Sequence, residues 1–177
     1  RPIAEVLSLP FAFLQPKAME RSFELRAGEE LAGTLAFRSS FGSLALARTA
    51  ESAWTFKRVG SFSPRATARL EGSEHDLVAY TPRWSGQSGE ITLARRDGLL
   101  GDAFALSDAA GQTLATFGPE PEAHRFSDLF RAQAIVSVDP AASARSDLGL
   151  LLLFGWYLVI LHNEDATTAA TTVVVAG

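Results

Sequence analysis

The feature that most constrains this chain is an uninterrupted apolar run, LGLLLLFGWYLVIL, at residues 148–161. As a helix it would rise about 21 Å, which falls short of the roughly 30 Å hydrocarbon core of a bilayer. No lysine or arginine follows Arg145, so a basic flank that would hold a membrane span is missing. A helix that is apolar on every side needs protein around it if lipid does not surround it. The run therefore predicts a buried central helix at about residues 147–162, with a membrane anchor as the weaker alternative.

Most of the chain before this run has the pattern of short strands. Apolar and polar residues alternate over short stretches that Gly, Pro, Asp and Ser separate, which is typical of antiparallel strands and hairpins. The clearest stretch is residues 31–38, where Leu31, Leu35 and Phe37 fall on one face. The pattern predicts strands near residues 4–9, 21–26, 31–38, 43–49, 54–59, 65–70, 75–81, 90–95, 101–107, 112–117 and 131–138.

Length and composition favour one globular domain, because 177 residues with 47% hydrophobic content can bury one substantial core. Many antiparallel strands and one fully apolar helix have a compact solution, in which the sheet closes into a barrel around the helix. Closure also removes exposed strand edges. We therefore predict a mainly β protein: a closed antiparallel barrel of about twelve strands enclosing a hydrophobic C-terminal helix. The domain would cover residues 1–177, with a mobile tail at 166–177.

The residue inventory offers little for catalysis. The chain has no cysteine, which excludes disulfides, thiolate metal sites and cysteine nucleophiles. His75, His124 and His162 lie far apart and show no compact metal-ligand spacing. The acids beside His75, at residues 71–76, lie in a predicted hairpin tip where polar residues are expected anyway. We expect no catalytic residue, no metal and no cofactor, and the net charge of -4 argues against nucleic-acid binding.

Four segments carry a family resemblance: ERSFEL at 20–25, LAFRSSFGSLA at 35–45, WTFKRVG at 54–60 and GWYL at 155–158. Together they resemble the tubby C-terminal-like superfamily, which includes the plant LURP-one-related proteins and the phospholipid scramblases. The resemblance implies a twelve-stranded barrel enclosing the C-terminal helix. It also implies a link to lipids, because tubby proteins bind phosphoinositides through basic surface residues. Fourteen arginines against two lysines fit a GC-rich genome, so we expect a bacterial member.

A hairpin around residues 60–64 predicts a basic patch. An antiparallel register that pairs residue 57 with 67 places Lys57, Arg65 and Arg69 on one face. The opposite face sets Trp54 and Phe56 against smaller residues, as a barrel interior around a helix requires. The functional interpretation is that the three cations bind an anionic lipid headgroup. The alternative is an ordinary solvated strand face.

The same register turns Arg58 toward the barrel interior, where a charge needs a partner or access to water. Asp147, Glu164 and Asp165 flank the predicted helix and are its candidate partners. We expect a structural clasp between Arg58 and one end of the helix.

These observations predict a non-enzymatic binding module, cytoplasmic and peripheral to membranes, with an anionic phospholipid surface as its partner. The alternative is a structural or protein-interaction domain without a lipid ligand. The sequence identifies no protein partner.

Overall fold

The computed structural model describes residues 1–60, 65–80, 91–96, 102–119 and 132–175. These ranges contain a 3-10 turn at Ile3–Glu5, eleven strands and one helix, α1, at Leu148–Val175. The strands are β1 (Phe11–Leu14), β2 (Ser22–Ala27), β3 (Glu30–Phe37), β4 (Ala45–Thr49), β5 (Ala53–Val59), β6 (Arg65–Leu70), β7 (Asp76–Tyr80), β8 (Ile91–Arg96), β9 (Ala103–Asp108), β10 (Thr113–Gly118) and β11 (Ala132–Val138).

The strands form a closed barrel in the order β1-β11-β10-β9-β8-β7-β6-β5-β4-β3-β2. Neighbouring strands in this order run antiparallel, except that β7 and β8 meet as a parallel pair through Tyr80 and Ile91. The closed barrel of the sequence analysis is therefore confirmed, with eleven strands in the described ranges and one parallel contact that the sequence did not predict.

The first predicted strand, residues 4–9, is wrong. Ile3 and Val6 lie about one helical turn apart and are both buried, an arrangement that the 3-10 turn provides and a strand would not. The first strand is instead β1, which pairs with β2 and β11 and so closes the barrel. All four β1 side chains are buried, so β1 lacks the alternation by which the other strands were recognised.

Helix α1 passes through the barrel, as predicted. Its side chains from Leu150 to Val159 are all buried. Phe154 packs 5.1 Å from Phe56 of β5, and Trp156 stacks 5.0 Å from Phe13 of β1, measured between ring centroids. Space for these rings comes from alanines on the inner faces of β4 and β6, at positions 45, 47, 66 and 68, all buried. Large helix residues thus fill the barrel where its strand residues are small.

The predicted helix end near residue 162 is corrected, because α1 continues to Val175. The end of the apolar run, at residue 161, marks where burial ends, because the side chains from His162 to Ala169 are exposed. The helical hydrogen bonds continue past that point, since nothing in ATTAA breaks a helix. Thr167 and Thr168 add bonds from their hydroxyls to the backbone oxygens of Asn163 and Glu164, both 2.9 Å.

The membrane-anchor alternative required the apolar run to lie outside the β-domain, and the structure encloses it. In the part of the chain that the structure describes, no helix combines the length and hydropathy that crossing a bilayer requires.

Candidate functional site

The hairpin of β5 and β6 has the register that the sequence predicted. Lys57 pairs with Thr67, Val59 with Arg65, and Thr55 with Arg69. Phe56 and Ala68, one position away, are fully buried, whereas Lys57 and Arg65 are exposed. The structure therefore brings Lys57, Arg65 and Arg69 onto one outward face.

An acidic residue that the sequence analysis missed lies within this basic face. Asp76, the first residue of β7, accepts hydrogen bonds from Arg65 Nη2 at 2.6 Å and Arg69 Nε at 2.5 Å. A bulge in the pairing of β6 with β7 places Asp76 directly opposite Arg69. Asp76 therefore neutralises part of the positive charge and leaves Lys57 as the least compensated of the three cations. The sequence offered a sign of this ion pair, because Asp76 follows Arg69 across the predicted hairpin tip.

Lys57 has basic and apolar neighbours that the sequence analysis also missed. Arg38 N donates to Leu44 O at 2.9 Å, which extends the pairing of β3 with β4 by one rung. Ala45 pairs with Phe56, so the same register sets Leu44 beside Lys57. Arg38, Leu44 and Lys57 alternate with inward residues and are exposed on the outer face. Within the described ranges neither Arg38 nor Lys57 has an ion-pair partner.

The loop between β3 and β4, residues 38–44, presents Phe41 at its tip. The Phe41 side chain is fully exposed, at 102% relative accessibility. Hydrogen bonds fix the backbone of this loop, because Arg21 Nη1 donates to the backbone oxygens of Ser39 at 3.0 Å and Gly42 at 2.8 Å. Gly42 N also donates to Ser39 Oγ at 2.8 Å. We call Arg38, Phe41, Leu44 and Lys57 the rim patch.

Of its three predicted partners, Arg58 contacts Asp165, whereas the other two acids pair with different arginines. Arg58 Nη1 donates to both carboxylate oxygens of Asp165, at 2.8 and 2.9 Å. Glu164 instead accepts from Arg21 Nη2 at 2.6 Å. Asp147 precedes the first turn of α1, at the opposite end of the helix, where Arg145 holds its carboxylate at 2.7 and 2.8 Å. Arg58 on β5 and Arg21 just before β2 thus form ion pairs with two consecutive acidic residues of α1. These acids lie where α1 leaves the barrel, and we call this region the exit end.

Arg21 and Tyr157 connect the helix to the Phe41 loop. The Arg21 guanidinium lies 3.8 Å above the Phe37 ring, a cation-π contact, while it bonds both the loop and Glu164. Tyr157 OH donates to Ser43 O at 2.7 Å. Burial raises the pKa of Tyr157 well above its usual range, so the hydroxyl keeps its proton and remains a donor. No local pattern could reveal Arg21, because its partners are remote in sequence.

The two histidines in the described ranges make unrelated contacts. His75 lies exposed in the β6–β7 tip, where its backbone N–H bonds Ser73 Oγ at 3.1 Å. His162 packs edge-on against Phe104 at 5.2 Å, and His124 lies outside the described residues. Across the residues that the structure describes, no group of three or more acidic or histidine side chains could hold a metal ion.

No family model matches this chain, and no curated protein or solved structure is similar to it.

Proposed function

We propose that this protein is a non-enzymatic binding module that associates peripherally with anionic phospholipid surfaces through the rim patch. Two observations carry the proposal. Arg38 and Lys57 have no ion-pair partner among the described residues, and the ring of Phe41, in the loop that begins at Arg38, is fully exposed. Basic side chains are attracted to the negative potential of the cytoplasmic leaflet. Aromatic rings favour the boundary between headgroups and hydrocarbon. The proposed site of action is therefore the cytoplasmic face of a membrane.

The expected affinity is low. Each basic residue near an anionic membrane contributes about 1 kcal/mol, so Arg38 and Lys57 together supply about 2 kcal/mol. Burying the Phe41 side chain adds roughly 2 kcal/mol. The total of about 4 kcal/mol corresponds to a dissociation constant near 1 mM, which describes a reversible, salt-sensitive association.

Arg65 and Arg69 contribute less to the proposed lipid contact than Lys57 does, although the sequence analysis grouped all three as headgroup ligands. Both guanidiniums share the Asp76 carboxylate, so a phosphate would have to compete with an existing ion pair. They widen the positive field around Lys57 rather than forming the primary contact.

The resemblance to the tubby-like superfamily supports the proposal in one respect. A barrel that encloses its C-terminal helix is the architecture that the resemblance implies, and lipid binding through basic surface residues is known in that superfamily. Membership itself stays a proposal.

The test is flotation of the purified full-length chain with phosphatidylcholine vesicles and with vesicles that also contain phosphatidylserine, across a salt series. We expect capture on the anionic vesicles alone, falling as salt rises. Lys57→Glu and Arg38→Glu should each reduce capture severalfold, and Phe41→Ser should reduce it at every salt concentration. Arg96→Glu is the matched control, because Arg96 is exposed on β8, which β6 and β7 separate from β5.

Equal capture of Lys57→Glu and Arg96→Glu would overturn the proposal, as would salt-independent capture on both kinds of vesicle. Absence of capture on either vesicle would also overturn it, in favour of a protein-interaction role for Phe41 and Leu44. Asp76→Asn separates the two basic clusters. If Arg65 and Arg69 were the primary contact, its capture would clearly exceed that of the wild type, whereas the rim patch predicts only a small increase.

A further inference from the structure

A groove of about 630 Å³ lies at the exit end, between the emerging part of α1 and the barrel rim. One wall is a single face of α1, formed by Trp156, Ile160, Asn163 and Thr167, whose spacing of four, three and four residues keeps them in line. The groove volume lies within the range of small-molecule sites, about 300–1,000 Å³. The helical extension beyond residue 162 is thus one wall of a cleft that the barrel alone would not possess.

The base of the groove is apolar. Phe23 of β2 and Trp156 of α1 meet edge-on with ring centroids 6.0 Å apart, and Ile160 follows one turn along the helix. Phe23 and Trp156 are each more than nine-tenths buried. These residues form a surface that favours the hydrocarbon body of a ligand.

Trp156 carries a polar group without a partner. Its indole Nε1 is buried and finds no hydrogen-bond acceptor among the described residues. Buried polar atoms are nearly always hydrogen-bonded, because an unpaired one loses its hydration without compensation. Because Nε1 has almost no accessible surface, a ligand in the groove contacts Trp156 through its ring carbons.

The remaining polar lining is uncharged or already paired. Gln133 and Asn163 contribute amides that make no side-chain hydrogen bond in the described ranges, and each offers both a donor and an acceptor. The Glu164 carboxylate also borders the groove, but Arg21 holds it at 2.6 Å. The described lining therefore has no uncompensated charge to attract an ion.

We propose that this groove binds an uncharged amphipathic molecule with an apolar body and ester or hydroxyl oxygens, of the monoacylglycerol class. The apolar body packs on Phe23, Trp156 and Ile160. Its oxygens accept hydrogen bonds from the side-chain amides of Gln133 and Asn163. Phe41 of the rim patch also lines the groove, whereas the rim-patch cations Arg38 and Lys57 do not, and the site does not require them.

The test is titration calorimetry of the full chain with 1-monolauroylglycerol below its aggregation concentration, without vesicles. Thr167→Trp should fill the groove and weaken binding at least tenfold. Ala166→Trp is the matched control, since Ala166 is equally exposed, neighbours Thr167 on the helix and does not line the groove. Circular dichroism checks that each variant is folded.

Equal affinity of Thr167→Trp and Ala166→Trp would overturn the proposal, and so would absence of binding to the wild type. Dodecanoate, an ion of similar chain length, should bind more weakly, and equal binding would refute the argument from charge. Lys57→Glu should bind 1-monolauroylglycerol like the wild type, so the groove and the cations of the rim patch fail separately. Repeating the titration with the same compound held in vesicles tells whether it is taken from a bilayer or from solution.

Discussion

Gly155 offers the sharpest test of how tightly α1 fits the barrel. A Cβ atom at this position would lie 2.6 Å from Phe117 Cζ, 2.9 Å from Phe117 Cε2 and 3.2 Å from Leu106 Cδ2. Carbon atoms pack best at about 3.5–4.0 Å, so Gly155→Ala forces the ring or the helix to move. The Phe117 ring has little room, because it is 1% exposed and packs beside Phe13 and Trp156.

Two effects of opposite sign decide the result of Gly155→Ala. Alanine favours a helix over glycine by up to about 1 kcal/mol. Overpacking a close-packed core costs about 1–3 kcal/mol. Because the nearest contact is a ring edge at 2.6 Å, we expect overpacking to win and the free energy of unfolding to fall by about 1–2 kcal/mol. The melting temperature should then fall by about 2–8 °C.

The assay is urea unfolding followed by far-UV circular dichroism, with an unchanged m value showing that the folded state stays equally compact. Gly149→Ala is the control. Its Cβ would lie 3.0 Å from Ile3 Cδ1, 3.1 Å from Thr49 Cγ2 and 3.9 Å from Trp54 Cη2. These contacts are less close than those at Gly155, so the stability of Gly149→Ala should change by less than about 0.5 kcal/mol. Phe117→Leu in the Gly155→Ala background should cost less than it does alone. A Gly155→Ala protein as stable as the wild type would refute the close fit of helix and ring.

Two further substitutions test the exit end. Arg58→Met should lower the free energy of unfolding by less than about 1 kcal/mol, because the Arg58 and Asp165 side chains are 34% and 60% exposed. The loss should shrink at high salt; a loss independent of salt would contradict an ionic clasp, and Asp147→Asn serves as the control at the other helix end. For Tyr157, burial raises the pKa above the usual 10.0, so the folded chain keeps a proton that the unfolded chain releases. Its contribution to stability is therefore complete below pH 10 and is lost as the pH rises above 10. Tyr157→Phe should reduce this alkaline loss while it costs about 1 kcal/mol at pH 7, since Ser43 O loses its donor. Equal alkaline slopes for both proteins in urea unfolding would contradict this reasoning.

The β5–β6 hairpin was predictable to the residue because its information is local. Alternation decides which side chains face inward, and a one-residue slip would expose Phe56 and bury Lys57. The same reasoning failed for β1, whose four side chains are all buried and therefore carry no alternation. It also ended α1 too early, because hydropathy reports burial whereas helix continuation depends on backbone hydrogen bonds.

The sequence alone determined a barrel with a helix inside, because a fully apolar run must be surrounded and closing the alternating strands around it removes their exposed edges. Tertiary structure alone decided which charges are compensated. Asp165 reaches Arg58 across 107 residues of sequence, and Glu164 reaches Arg21 across 143. Partners so remote depend on strand order and on where the helix leaves the barrel, which no local pattern encodes. The rim-patch cations, which have no ion-pair partner in the described part of the chain, and the groove along α1 are consequences of that closure, since both form where separate segments meet at one rim.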